Sequence, residues 1–163
     1  MLVSRVLGNT SVDPITREIV DVIFDWHELE KHRIKKTASD GLELGIMVDN
    51  LLTEGDILAQ TNAKSYVVKV RPTELLKINI HSITEMGRAC FELGNRHLSP
   101  KITEDGVSVV YDEPTYEYMK KLGFDVERVK DKFTDFIVCK GHGDRSHSHG
   151  HAHSHSHEGS YEY

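Results

Sequence analysis

The order of hydrophobic periods in the second half of the chain is the feature that most limits what it can fold into. After Pro72 the pattern reads strand, helix, strand, strand, helix, strand, in the segments "LLKINI", "SITEMGRACFELGN", the two halves of "KITEDGVSVVYD" around Asp105-Gly106, "EPTYEYMKKLGF" and "FDVERVK". Ferredoxin-like domains have this split βαβ order, in which right-handed crossovers place both helices on one face of the sheet. We therefore predict a ferredoxin-like βαββαβ domain from about residue 74 to residue 139.

Capping residues mark the ends of the two predicted helices. Ser82 with Glu85 three residues later is the pattern of a capping box, so the first helix should begin there. Gly94 and Gly123 fit the left-handed positions that follow the two helices. Cys90 in the first helix lies at the spacing of the apolar residues that face the core, so we predict that it is a small buried hydrophobe rather than a ligand or nucleophile. The predicted apolar face of that helix is Ile83, Met86, Cys90 and Leu93.

The first 72 residues form a different unit, rich in short strands. "EIVDVIFDW" alternates apolar and polar residues, "KKTASDGLELGIMV" contains an Asp40-Gly41 hairpin signal, and "EGDILAQ" and "SYVVKV" are bounded by turn residues. Pro72 interrupts strand pairing and is the natural boundary. We predict an α+β protein of three units: an N-terminal all-β domain at 1–72, the ferredoxin-like domain at 73–140 and a disordered His-rich tail at 141–163.

The tail contains "HSHGHAHSHSH", in which histidine occupies every second position. Spacers of Ser, Gly and Ala leave nothing apolar to bury, so this stretch does not offset the entropy lost on ordering. Neutral imidazole is a good ligand for nickel, copper and zinc, and a flexible chain brings several imidazoles round one ion. A purification tag, or a low-complexity end that binds metal without a role in the cell, would have the same composition. The candidate ligands are His142, His147, His149, His151, His153, His155 and His157.

The overall composition argues against several classes of function. The formal charge is −6 with neutral histidine, and no run of Lys or Arg forms a phosphate-binding stripe, so we expect no nucleic-acid partner. No apolar segment is long enough to span a bilayer and the chain does not start with a signal-peptide pattern, so we expect a cytoplasmic protein without membrane association. Phosphate-binding-loop, HExxH, GxSxG and dinucleotide-binding patterns are missing from the sequence, which therefore does not indicate an enzyme.

His97 is the candidate metal ligand in the folded part of the chain. It follows Gly94 by three residues in "GNRHLSP", a loop that leaves a helix on a compact domain. A histidine near a helix C-terminus most often meets the last carbonyls and the negative end of the dipole. One imidazole does not hold an ion tightly, but a two-fold dimer duplicates any residue near its axis. Cys139 and His142 have a Cys-x-x-His spacing, although packing of Cys139 at the end of the last strand is the simpler interpretation.

The segment "EMGRACFELGNRH", residues 85–97, resembles the signature of the UreE family of urease accessory proteins, which are nickel metallochaperones. The order of parts is similar as well. The resemblance implies a homodimer formed through the second domain, in which His97 of each subunit meets its partner on the two-fold axis and binds one Ni²⁺. The tail histidines then add ligands. Some members carry a His-x-His pair where this chain has Tyr111 and Asp112, so the resemblance does not extend to a second fixed metal site.

The function that this resemblance implies is delivery of Ni²⁺ for assembly of the urease active site. The implied partners are the urease accessory GTPase UreG and the apo-urease accessory complex, and the first domain is the expected docking surface for a partner or peptide. The same imidazole ligands would also bind Zn²⁺ or Cu²⁺. Two other hypotheses stay open: a His-rich metal storage or buffering protein in which His97 is incidental, and a protein-interaction module whose end binds metal adventitiously.

Overall fold

The computed structural model describes residues 1–139, so the predicted tail and its seven candidate histidines lie outside the described residues. Strands are the main regular elements of the first domain, which confirms the expected N-terminal β unit. Its elements are β1 Leu2–Val3, β2 Glu18–Phe24, a 3₁₀ turn at Trp26–Glu28, β3 Arg33–Thr37, β4 Glu43–Met47, β5 Ile57–Gln60 and β6 Lys64–Val70.

Two three-stranded sheets enclose the core of the first domain, with strand orders β1-β4-β3 and β2-β6-β5. The predicted hairpin turn joins β3 to β4, and Gly41 adopts a φ of 89° there, a conformation that glycine reaches without strain. On β2 the alternation of the sequence is visible as burial, because Val20, Val22 and Phe24 point into the core while Ile19 is exposed.

The second domain contains one four-stranded sheet and two helices. Its elements are β7 Thr73–Asn79, α1 Ile83–Asn95, β8 Lys101–Ile102, β9 Gly106–Val110, α2 Glu113–Lys121 and β10 Asp125–Asp131. Its sheet is antiparallel throughout, with the order β10-β7-β9-β8. This order and the alternation of elements are those of a split βαβ arrangement, as the sequence predicts. Gly106 lies where β9 passes β7, and a Cβ there would come within 2.9 Å of the Ile78 carbonyl oxygen.

Both helices pack on one face of this sheet and share one core. Leu76 and Ile78 of β7 are fully buried, as are Leu93 of α1 and Met119 of α2. Burying side chains of this size stabilises the fold by about 1.5–3 kcal/mol each. Neither helix within residues 1–139 has the length and apolar character that a membrane crossing requires.

The chain after β10 returns to the first domain. Phe133 and Phe136 join the core of the first domain and contact the ring of Trp26, with centroid distances of 5.7 and 6.1 Å. Lys132 Nζ donates a hydrogen bond of 2.6 Å to Glu54 Oε1 in the same region. Residues 132–136 therefore connect the two domains through apolar and polar contacts. Cys139 lies eight residues after Asp131, the last residue of β10, so its predicted place at the end of that strand is wrong.

Two predictions about α1 are also wrong. Gly94 lies inside the helix, and the left-handed residue after the helix is His97, with a φ of 56°. Ile83 is 90% exposed, whereas Ala89 is buried beside Leu93. The helix carries two apolar stripes, and only the stripe with Ala89 and Leu93 faces the sheet.

Candidate metal centre at the end of helix α1

His97 occupies a defined position in the hydrogen-bonded end of α1. Its backbone N–H donates to the Gly94 carbonyl at 2.9 Å, and the N–H of Leu98 donates to the Leu93 carbonyl at 3.2 Å. This pair of bonds is the Schellman motif, with Arg96 as the C-cap and His97 at the following position. The motif satisfies carbonyls that the end of the helix would otherwise leave unpaired.

The left-handed conformation of His97 is energetically unfavourable for a residue with a side chain. Glycine usually occupies this position, and other residues lose about 1–2 kcal/mol by adopting it. His97 is exposed on the surface, so burial of its side chain does not offset that loss. Backbone strain of this kind, held by the surrounding structure, is common at functional sites.

An exposed apolar stripe runs along α1 toward His97. Ile83 and Phe91 are 90% and 65% exposed, at positions two turns apart on the helix. Gly87 lies between them, and Gly94 lies three residues beyond Phe91, with open space where a Cβ of either glycine would be. Large apolar side chains on such a surface mark an interaction face, and glycines in it allow another backbone to approach closely.

The last described residues run beside the loop that contains His97. The N–H of Ile137 donates to the Pro100 carbonyl at 2.8 Å, and the N–H of Cys139 donates to Ser99 Oγ at 3.0 Å. Cys139 is therefore held beside a residue two positions from His97. His142 lies outside the described residues, three positions farther along the chain, a separation that an extended chain covers in about 10 Å.

A small cavity is lined by both His97 and a residue of the first domain. Its volume is about 150 Å³, and Trp26 of the first domain and Phe133 both contribute to its wall. Leu98, Ser99, Val109 and Val110 complete the lining. The candidate metal ligand thus lies next to the contact between the two domains.

The other residues that the sequence singles out have structural partners. Burial raises the pKa of the half-buried Cys90 thiol, and its Sγ contacts Met86 Sδ at 4.0 Å, so the thiolate form that binds metal is disfavoured. Asp112 caps α2 by accepting a hydrogen bond from the Thr115 N–H. A hydrogen bond to Glu113 raises the pKa of Tyr111.

Within residues 1–139 no group of three or more His, Cys, Asp or Glu side chains is placed to hold a metal ion. Of the candidate ligands, the described part of the chain contains His97, while the seven in the tail lie beyond it. Sequence reasoning missed the left-handed conformation of His97 and the exposed stripe of α1. A signal for the stripe is present in the sequence, because Ile83, Gly87 and Phe91 repeat at intervals of four.

Comparison with known proteins gives consistent matches over both domains. Residues 3–71 match the family model described as UreE urease accessory protein, N-terminal domain, and residues 73–160 match that of the C-terminal domain. A urease accessory protein UreE of Bifidobacterium longum subsp. infantis is 44% identical over 87% of this chain, and the match spans 65% of that longer protein. Proteins of the same name from Acetivibrio thermocellus and Halalkalibacterium halodurans are 34% and 32% identical, over 88% and 87% of this chain and 95% and 97% of their own.

Proposed function

The chain belongs to the UreE family of urease accessory proteins, and on this basis we propose that it is a nickel metallochaperone. It binds Ni²⁺ in the cytoplasm and delivers the ion for assembly of the urease active site, with no catalytic step of its own. The proposal keeps the three units that the sequence predicts: a docking domain at 1–72, a metal-binding and dimerisation domain at 73–140, and a metal-binding tail at 141–163. The observation that carries the proposal is the exposed imidazole of His97 at the end of the apolar face of α1.

The ion binds between two copies of His97 in a homodimer. A single imidazole holds Ni²⁺ weakly, but an isologous interface brings the same residue of each subunit to the two-fold axis. The exposed stripe of Ile83, Gly87 and Phe91 is a suitable dimer face, because burying two large apolar side chains per subunit drives association. It runs along the helix that ends next to His97, so pairing of two α1 helices would bring the two imidazoles together.

The tail supplies the remaining ligands. Cys139 is held beside Ser99, so His142 is tethered within reach of His97 at a high effective concentration. His147, His149, His151, His153, His155 and His157 extend the supply. Separate imidazoles on a flexible tether leave the ion one at a time, which suits a protein that must release its cargo. Such ligands also bind Cu²⁺ and Zn²⁺, and Cu²⁺ binds them more tightly, so selection of Ni²⁺ depends on the supply in the cell and on the partner.

The partners in this proposal are the GTPase UreG and the apo-urease accessory complex. Nucleotide hydrolysis must come from such a partner, because the chain has no phosphate-binding loop. Trp26 and His97 share one cavity, so a partner on the first domain would bind close to the metal ligand. The negative formal charge does not favour a nucleic-acid partner.

Nickel titration calorimetry at neutral pH, with the molecular mass followed in solution, tests the proposal. We would compare the intact protein, His97→Gly, and a chain truncated after Gly141. Glycine is the best replacement because it accepts the φ of 56° at position 97. His81→Ala is the matched control, since His81 is an exposed histidine beside the other end of α1.

We expect a tight site with one ion per dimer that is lost in His97→Gly and retained in His81→Ala. Truncation should remove most of the capacity and weaken the tight site without abolishing it. If His97→Gly keeps the tightest site and truncation eliminates it, the protein is a metal buffer and the proposal is wrong. Urease activity in cells tests the remaining alternative, a protein-interaction module. Such a module would activate urease normally both in His97→Gly and in the truncated chain.

A further inference from the structure

The side chain of Arg96, the residue before His97, connects the end of α1 to α2. Its Nε–H donates to Thr115 Oγ1 at 3.3 Å, and its guanidinium carbon lies 4.8 Å from the centroid of the Tyr118 ring. The hydroxyl of Tyr118 in turn donates to Glu92 Oε2 at 2.6 Å, one turn before Arg96 on α1. This hydrogen bond raises the pKa of Tyr118, so the hydroxyl keeps the proton that it donates. Together these contacts link the end of α1 to α2, and we call them the bracket.

The residue after His97 is anchored as well. Leu98 is half-buried against the core of the second domain, and its N–H bonds to the Leu93 carbonyl. His97 therefore lies between two residues whose side chains are both held by contacts within the second domain. Neither anchor uses the imidazole of His97 itself.

We infer that Arg96 is a positioning residue, which holds His97 in the left-handed conformation and so aims its imidazole at the metal site. The last residues of a helix fray readily, and a residue with a side chain at φ 56° tends to return to a negative φ. Such a return would swing the imidazole to a different direction. The bracket to α2 prevents it by fixing the backbone one residue earlier.

The geometry requires arginine rather than lysine at this position. A guanidinium is planar, stacks on an aromatic ring and still presents an N–H in its plane, whereas an ammonium on a flexible stem is a point charge. Arg96 carries a positive charge and has no acceptor, so it does not coordinate the cation. Its effect on metal binding passes through the backbone of His97, and the metal-binding part of this inference rests on the proposed function.

The test uses Arg96→Lys and Tyr118→Leu in the full chain. Each variant removes one half of the stacked pair, and the lysine keeps the charge. Tyr118→Phe keeps the ring under Arg96 but removes the hydroxyl. Arg88→Lys is the matched control, because Arg88 is also on α1 and lies 5.3 Å from the Phe124 ring, far along the helix from His97.

Two measurements are made on each protein. The three-bond HN–Hα coupling and the Cα and Cβ chemical shifts of His97, in the metal-free protein, report its φ without any nickel. Nickel titration reports affinity. In Arg96→Lys and Tyr118→Leu we expect the NMR signals of His97 to leave the left-handed values and the affinity to fall about tenfold, the factor that corresponds to about 1.4 kcal/mol. Arg88→Lys and Tyr118→Phe should retain both.

Unchanged His97 signals in Arg96→Lys and Tyr118→Leu would overturn the inference, as would an equal loss in the Arg88→Lys control. If the His97 conformation changes as expected but His97→Gly binds nickel like the intact protein, the proposed function fails while the positioning role of Arg96 stands. If affinity falls without a change at His97, Arg96 acts by another route and the inference is wrong.

Discussion

The two helices of the second domain end in the same backbone motif with different residues at its critical position. In α2 the left-handed residue is Gly123, with a φ of 88°, and in α1 it is His97, with a φ of 56°. In both, the next N–H bonds to the carbonyl of a fully buried residue, Met119 in α2 and Leu93 in α1. The α2 end has the residue that the backbone prefers, whereas the α1 end accepts strain and presents an imidazole.

In the proposed function, the end of α1 has a role beyond ending its helix, whereas the end of α2 does not. A Cβ on Gly123 would meet open space, so sterics between side chains do not require glycine there and the backbone alone does. The backbone at position 97 also favours glycine, but the residue there is histidine. In the proposed function, the metal-binding imidazole is the physical reason for a histidine at such a position.

The largest expected effect tests whether the two ends are anchored in the same way. Leu93→Ala and Met119→Ala should each lower the free energy of unfolding by about 2–5 kcal/mol, because both side chains are fully buried and alanine leaves a cavity. Urea denaturation measures both. A small loss in one of the two variants would show that the ends are not equivalent in packing.

The next effect isolates the backbone at α2. Gly123→Ala should lower the free energy of unfolding by about 1–2 kcal/mol, since the new methyl group meets no atoms and only the left-handed conformation is unfavourable. Thermal and urea unfolding should agree on the sign. A neutral result would mean that α2 ends differently in solution.

The N-termini of the helices offer a comparison in which the two ends should behave alike. Ser82 accepts a hydrogen bond from the Glu85 N–H at 3.1 Å, and Asp112 accepts one from the Thr115 N–H at 3.0 Å. Replacing either by alanine should lower the free energy of unfolding by about 1 kcal/mol. If the losses in free energy of unfolding, measured from circular dichroism melts, differ by more than twofold, the two N-termini are not equivalent.

The last expected effect, similar in size to that of the two caps, concerns position 97 itself. His97→Gly should be more stable than His97→Ala by about 1 kcal/mol, because both lack the imidazole and only glycine adopts the left-handed conformation freely. Comparing the two variants with each other cancels the contacts that the imidazole makes. Equal urea midpoints for the two would contradict the strain at this position.

Features that depend on local chemistry were predictable from the sequence. The order of strands and helices, the Asp40-Gly41 turn, the Ser82 cap and the end of α2 at Gly123 are all present as expected. Each depends on residues that are close in the chain, so neighbouring side chains carry the information. The resemblance of residues 85–97 to a known family belongs to the same class, because it is carried by one continuous segment.

Features that depend on distant contacts follow from the tertiary structure. Sequence patterns were sufficient to predict the order of the elements and an exposed histidine after α1, but they placed the end of that helix at Gly94. The helix instead runs to Asn95, and the contacts at its end involve distant residues: Leu93 is buried in the domain core, and Arg96 lies over the ring of Tyr118, 22 positions away. Periodicity likewise did not distinguish the buried stripe of α1 from the exposed one with Ile83. Packing against the sheet makes that choice, because burial depends on residues from several elements at once.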